Sequence, residues 1–545
     1  MNVNTFKSSI KGDFTGGLTA AIIALPMALA FGLQSGLGPE YGLYTAIILA
    51  IIASIIAGTK TLISDPTGPM TIVAATIIAS SGFTSNPEIA WPTIIATFAL
   101  AGLFQIVFGF IKVAQYVKYI SYPVLSGFMG GIGIIIILFQ WHSFFGVPRP
   151  GKILDIISDI HNPILSPNLS ALILGCSTLV LIYIIPLISK KIPAGLVALI
   201  IGTLISLALE PGTFSIIGEI PSSLPEFEGL KLKNFNFNNI SSVIVGALTL
   251  AGLGTIDTLL TSVVADNVTK TKHNGNRELI GQGLGNFVAA LFGGIPGAGS
   301  TTGTVANIKS NGKSNISGII KGLILLVVLL GLGQYLKNVP IPVLSALLIS
   351  VGIGIIDFQG MKRLIKIKNS DTLVLILVII LTVFADLLVA VGVGMVLSSF
   401  FFMQRMGELV DQQSKQGNLA DIEKKLKIPE KIKDKIYDFE LDGPLFYGFS
   451  DQFKEQAESI KGKDAVIINM SNVPYIDASG IYVLEEVITS FKDKKMDVIL
   501  VGVKDHIFKQ FEDLKVIPQT LPEEKAYNSI RSGLKYLKNQ LEHEL

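Results

Sequence analysis

A single cysteine, Cys176, in 545 residues leaves no partner for an internal disulfide and excludes a Cys-based metal cluster. Lying in an apolar run, it is expected to act as a small buried hydrophobe. Histidine is nearly as scarce. The five, His142, His161, His273, His506 and His543, have no zinc-ligand partner at helical spacing, so each is expected to be solvated or satisfied. No G-x-x-x-x-G-K-[ST] loop occurs, which removes an ATP-driven pump. No catalytic constellation stands out, and the chain reads as a non-enzyme without a cofactor. Charge is short too: Asp, Glu, Lys and Arg make up 15%, against ~25% in soluble proteins. A net charge of +2 gives no reason to expect nucleic acid. The polar start MNVNTFKSSIKGD, followed by an apolar run long enough to span and stay, predicts no cleavable signal peptide.

The charges that do occur are unevenly placed. Of the 84 (43 basic plus 41 acidic), 46 follow Met403. Residues 1–404 are therefore read as a membrane domain, 405–435 as a charged linker and 436–545 as a soluble domain. Apolar runs near 14–36, 42–58, 66–81, 92–112, 119–145, 168–188, 193–210, 239–265, 277–294, 299–309, 315–335, 340–357, 371–388 and 389–404 predict fourteen spans. The third and tenth are too short to cross alone, and a tight turn around Gly392 is expected between the last two. With the N-terminus inside, inner loops carry 14 basic residues (Lys60, Lys112, Lys118, Lys190, Lys191, Lys270, Lys272, Arg277, Lys309, Lys313, Lys362, Arg363, Lys366, Lys368). Outer loops carry 5 (Arg149, Lys152, Lys231, Lys233, Lys337). That asymmetry predicts both termini in the cytoplasm.

The third and tenth spans are also the two interrupted by Gly and Pro: SDPTGPMTIVAAT at 64–76 and GGIPGAGSTTGTVANI at 293–308. They stand seven spans apart, so two seven-span halves would lie in opposite orientations, the mark of an inverted repeat with its site at the broken helices. A helix that starts mid-membrane leaves its first N–H groups unpaired and carries about half a positive charge at that end. Two such ends aimed at one point bind an anion without a basic side chain. Ser300, Thr301 and Thr302 leave room there and supply hydroxyls; close helix packing by small residues is the plainer alternative. No Arg or Lys falls in the interior of spans 1, 3, 8 or 10. An acid does: Asp257 in GALTLAGLGTIDTLLTSVVAD, with Thr261 four residues on and on the same helix face. Carboxylate, hydroxyls and free carbonyls make a hard-oxygen site for Na⁺, although Asp257 as a proton carrier, or as a cap on a broken helix, stays open. Asp386 is the other deep acid, expected to pair or cap locally; Asp65 is expected to cap span 3, and Asp266 to be structural.

ALPMALAFG at 24–32, DPTGPMT at 65–71, TIDTLLTSVVAD at 255–266 and GAGSTTGTVANI at 297–308 resemble the SulP, or sulfate-permease-type, anion transporters. The resemblance runs over nearly the whole chain and is strongest to the BicA-type branch, the sodium-dependent bicarbonate transporters of cyanobacteria. It implies an α-helical polytopic membrane protein with a 7+7 inverted repeat. A core of spans 1–4 and 8–11 would move against a gate of spans 5–7 and 12–14 in the plasma membrane. It further implies a sodium site of Asp257, Thr261, Gly299, Ser300 and Thr301. A bicarbonate site would be framed by Thr67, Gly68 and Met70 at span 3 and by Ser300 and Thr301 at span 10. Ser300 and Thr302 stand where the BicA type has smaller or more apolar residues, which bears on affinity and ion preference. The Ile-, Asn- and Lys-rich composition fits an AT-rich genome, and the resemblance implies a cyanobacterial one.

In the tail, IYDFELDGPLFYG, DAVIINMSN and MDVILVG read as strands, ASGIYVLEEVITSFKDKK as an amphipathic helix, and the remainder as two more helices. This small α/β unit resembles a STAS domain, with PYIDASG at 474–480 matching its Asp-x-Ser-Gly loop. The resemblance implies homodimer contacts and makes Ser479 a candidate regulatory phosphosite; Asp477 or Ser479 as a plain helix cap is the competing reading. Three rivals remain beside a sodium-coupled bicarbonate importer: a proton-coupled carrier of sulfate, a dicarboxylate or another anion; a channel; and a membrane receptor or scaffold signalling through the tail.

Overall fold

The computed structural model describes residues 3–150, 153–189, 193–209, 212–367, 370–385, 387–413, 415–416, 428–446 and 450–543. Asp386 lies outside them. The chain forms two compact units, Met1–Ser398 and Ser399–Leu545.

A helix stands at each of the fourteen predicted spans. They are α1 (Val3–Ser35), α2 (Pro39–Ile56), α3 (Gly68–Ser80), α4 (Pro87–Phe110), α5 (Tyr122–Phe144), α6 (Leu169–Ile188) and α7 (Ala194–Ser206). The second half holds α8 (Ile240–Thr269), α9 (Gly275–Leu291), α10 (Thr301–Lys309), α11 (Ile316–Leu336), α12 (Ile341–Ile355), α13 (Ser370–Phe384) and α14 (Leu387–Gln413). The two broken ones are short, 13 residues in α3 and 9 in α10. Two boundaries need correction. The break between α13 and α14 falls before Leu387, and Gly392 lies inside α14. A helix tolerates a glycine for about 1 kcal/mol, less than an unpaired peptide group costs in hydrocarbon. The same helix continues past residue 404 to Gln413, into the segment read as linker. Cys176 is a third correction: it is exposed on the outer face of α6, beside exposed Ile173, where an apolar surround makes burial in protein unnecessary.

The halves α1–α7 and α8–α14 are an inverted repeat, and packing divides them across the sequence. α1, α2 and α4 pack with α8, α9 and α11, and α10 seats against α1 and α8, forming a core. α5 packs on α12 and α13, and α6 and α7 join α12, forming a gate. Lipid tails are as apolar as the helices, so burial of apolar surface does not drive these contacts; close approach does. Where α4 crosses α9, a Cβ on Gly102 would lie 2.6 Å from the Gly283 carbonyl oxygen, and one on Gly283 would lie 2.5 Å from that of Gly102. On the gate, Asp357 accepts from the Tyr122 hydroxyl, from Ser126 Oγ at 3.2 Å and from the Gly360 N–H at 2.9 Å.

The second unit is a five-stranded sheet ordered β3 (Lys415–Gln416), β4 (Ile436–Asp442), β5 (Ala465–Asn472), β6 (Asp497–Val501) and β7 (Ala526–Tyr527); β4 to β7 are parallel. Alternate residues explain its unbroken apolar runs. Val466, Ile468, Val498 and Leu500 face one core, shared with Leu484 and Ile488 of the helix Ala478–Asp493. Ala465, Ile467, Ile499 and Val501 face another, capped by Leu534 and Leu537 of the helix Ile530–His543. Such a sheet, covered on both sides, reads as continuous hydrophobicity. The helix Ser450–Ser459 and the short β7 escaped the sequence reading. Asp477 caps the helix that follows it, accepting from the Gly480 N–H at 2.7 Å, while Ser479 is exposed on its first turn.

The α4–α9 crossing yields a stability prediction. Gly283→Leu, facing backbone that cannot step aside, is expected to abolish the monodisperse peak in size-exclusion chromatography. Gly331→Leu, with nothing within 4 Å of its Cβ position, is expected to leave that peak intact.

Candidate functional site

The site is built on six residues of extended backbone. Strand β1 (Ser64–Pro66) precedes α3, and strand β2 (Gly297–Gly299) precedes α10. They pair antiparallel, Ser64 with Gly299, Asp65 with Ala298 and Pro66 with Gly297. Because the strands run in opposite directions, the helices that follow them leave in opposite directions, with their N-termini at the crossing. Two prolines keep the start of α3 from extending backwards, and Pro69 removes a donor from its first turn. Glycine is required at 297, where a Cβ would lie 2.5 Å from the Asp65 carbonyl oxygen.

Polar side chains with no route to water hold the crossing. Asn286 clamps Gly297 from both sides, accepting from its N–H at 2.8 Å and donating to its carbonyl at 2.9 Å; the same amide donates to Gln105 Oε1 at 2.8 Å. Gln282 donates to Ser64 Oγ at 2.6 Å and to Glu278 Oε1 at 3.0 Å. Glu278, 0% exposed, accepts the N–H groups of Gly58 and Thr59 at 2.9 and 2.7 Å. Asn307 donates to the Thr61 carbonyl at 2.9 Å, and Thr304 Oγ1 accepts from the Ile63 N–H at 3.0 Å. Lys321 pairs with Asp65. Asp65 is thus no cap: the N-cap of α3 is Thr67, whose side chain makes no capping bond. A carboxylate in a paired strand already has a buried ammonium as partner and does not turn to the helix end.

A cavity of about 400 Å³ opens where the two helices begin. Thr67 and Gly68 line it from α3, Ser300, Thr301 and Thr302 from α10, and Asp257 from α8. Met27 and Phe31 of α1 belong to the core side; Met129, Ser350 and Ile355 face it from the gate. Ser300 is the N-cap of α10, accepting from the Gly303 N–H at 3.3 Å, so the N–H groups of Thr301 and Thr302 have no intrahelical acceptor. At α3 the first such bond runs from Thr71 to Thr67, which leaves those of Gly68 and Met70 free of the helix ladder. Beneath the cavity, Thr261 donates to the Gly299 carbonyl at 2.9 Å and meets Thr301 Oγ1 at 2.8 Å. The Thr67 hydroxyl faces the Asp257 carboxylate. Yet Thr67 Oγ1 and Asp257 Oδ2 are both buried without a hydrogen-bond partner.

The structure therefore brings Asp257, Thr261, Gly299, Ser300, Thr301, Thr67 and Gly68 to one place. Met70 it does not: its side chain is buried against Gly254 of α8, away from the cavity, and only its backbone N–H remains at the helix start. Asp266, at the end of α8, bonds His273 at Nδ1 (2.7 Å) and at its N–H (2.9 Å), a local structural tie. Asp257, a gap-facing carboxylate with hydroxyls and a carbonyl nearby, fits a small hard cation in the chemistry of its donors. Lys321, Glu278, Gln282 and Asn286 were missed from sequence, although each carried the same signal as Asp257, a polar side chain within an apolar span.

Paired broken helices with N–H groups free of the helix ladder at a shared cavity suit a transporter of anions. The chain belongs to the sulfate permease family, whose model matches residues 10–378; a STAS domain model matches residues 427–531. It is 40% identical to the bicarbonate transporter BicA of Picosynechococcus sp. over 88% of this chain and 86% of that one. To the bicarbonate transporter BicA of Synechocystis sp. it is 38% identical, over 88% and 85%. Among solved structures it resembles the transmembrane domain of a cyanobacterial BicA (41% identity, TM-score 0.65, 70% of this chain and 98% of that). It shares the fold of SLC26A9 (19% identity, TM-score 0.83, 99% and 91%).

The Asn286 clamp is testable. Asn286→Leu strands the N–H and C=O of Gly297 and the Gln105 oxygen in a dry interior, at about 1–3 kcal/mol each. The purified protein is expected to melt several degrees lower; an unchanged melting temperature would show that the crossing does not need this amide.

Proposed function

We propose that this protein is a sodium-coupled bicarbonate importer of the plasma membrane. The observation that carries the reading is the cavity itself: two half-helix N-termini and one carboxylate, Asp257, with no basic side chain among its lining residues. Each helix end supplies about half a positive charge. Asp257 alone would cancel both and leave nothing to attract an anion. With Na⁺ held among Asp257, Thr261, Gly299, Ser300 and Thr301, the carboxylate is neutralised and the two helix ends again favour bicarbonate at Thr67, Gly68 and Thr301. Cation and anion then bind together or not at all, which is symport. The names of the two relatives at 40% and 38% identity support bicarbonate as the anion. Alternating access follows if the core carries the site past the gate, in an elevator-like or rocking movement, with both termini in the cytoplasm. The STAS-like unit would hold a homodimer together, and exposed Ser479 would be its regulatory position.

Uptake of labelled bicarbonate into vesicles, with sodium replaced by choline at fixed pH, tests this directly. Uptake is expected to require sodium and to resist competition by sulfate. Uptake that ignores sodium and follows a proton gradient would instead assign Asp257 to proton carriage. Asp257→Asn keeps the shape and removes the charge; it is expected to cut sodium-driven kcat/KM about 100-fold, near 3 kcal/mol at 1.4 kcal/mol per decade. Thr67→Leu is expected to block the anion while the purified protein melts as the parent does, and normal transport in that variant would displace the anion from α3.

A further inference from the structure

Lys321 is the only charged residue in α11. It is 0% exposed, and its ammonium has three acceptors: the Ala46 carbonyl at 2.8 Å, the Ser64 carbonyl at 3.0 Å and the Asp65 carboxylate. Three donors meet three acceptors, so the group is satisfied without water. The bonds tie α11 to α2 and to β1. On its other side Asp65, 5% exposed, is approached closely by α10: a Cβ on Gly303 would lie 3.3 Å from Asp65 Oδ2 and 3.3 Å from Ser300 Oγ. The carboxylate therefore sits between the lysine of one helix and the first turn of the half-helix that frames the cavity. Pro66 and Thr67, the next two residues, line that cavity.

Stability does not account for such a pair. Replacing a buried ion pair with apolar residues of similar size is often neutral or favourable, whereas removing one partner is costly. What the pair does control is charge. Unpaired, Asp65 would add a negative charge directly behind Pro66 and Thr67 of the cavity wall; unpaired, Lys321 would add a positive one. We propose that Lys321 and Asp65 are a positioning pair for transport: together they fix the β1–β2 crossing and cancel one another, leaving Asp257 as the one charged side chain in the lining of the cavity. The proposal rests on the cation-with-anion reading above and goes beyond it in assigning the balance to residues that touch neither ion.

The test compares Lys321→Met, Asp65→Asn and the double variant in the full chain, by initial uptake rates over bicarbonate and sodium titrations and by melting temperature. Lys321→Met leaves a carboxylate uncompensated. It is expected to raise the KM for bicarbonate about tenfold and to lower the sodium concentration for half-maximal rate. Asp65→Asn leaves an ammonium uncompensated and is expected to shift both constants the other way. The double variant should return both to within about threefold of the parent. A purely structural role would depress the rates of both single variants alike. Shifts of the same sign in both single variants, or a folded double variant as impaired as either, overturn the proposal. Where a single variant does not fold, the double variant decides: parent-like constants support the pairing, and failure of the double to fold assigns the pair to stability and overturns it. Failure of the parent chain to take up bicarbonate would strike the functional reading, not this one; the opposite shifts are then read with whichever anion the parent carries.

Discussion

Three extended residues, Ser64–Pro66, lie antiparallel against three others, Gly297–Gly299, and the geometry of the site depends on that contact. It decides that α3 and α10 start at the same depth and point apart. It decides which N–H groups face the cavity. It also explains the dense polar network below, because extended backbone at membrane depth is tolerated only when protein satisfies every group it exposes. Asn286, Gln282 and Lys321 each answer a specific backbone or side-chain demand of these six residues, and Asn307 and Thr304 satisfy Thr61 and Ile63 just before them.

The buried acids divide by whether they are answered. Glu278 accepts two backbone N–H groups and an amide, and Asp65 has an ammonium. Asp257 lines the cavity and keeps one carboxylate oxygen buried without a partner, as is the hydroxyl of Thr67. A satisfied carboxylate fixes a shape. An unsatisfied one at the same depth is an electrostatic demand that an arriving ion can meet, and that contrast separates scaffold from site without reference to any relative.

Much of the architecture was legible because it depends on local signals. Apolar runs located the fourteen helices, and Gly and Pro within short spans marked the two broken ones. Asp257 and Thr261 could be joined by helical spacing alone. The rest needed tertiary facts. Asp65 looked like a helix cap because its partner, Lys321, is 256 residues away on a span judged by its apolar bulk. Met70 sits in the right turn of α3, but only the packing of α3 on α8 shows its side chain facing Gly254. Gly392 looked like a turn since glycine is permissive, and Cys176 looked buried because sequence does not tell which face of a span meets lipid. In the soluble unit, β7 has only two residues, too short for any periodicity to register.

The crossing has a consequence for how such a molecule can arise. One strand comes from each seven-helix half, and the pair forms only if the halves lie upside down with respect to each other. A lone half therefore carries one strand with unpaired edges and half a cavity. An ancestral protein of that size could have worked only as a dimer whose two copies entered the membrane in opposite senses. Joining two such copies into one chain would fix that opposition covalently and leave residues of one half, such as Lys321, free to serve the other.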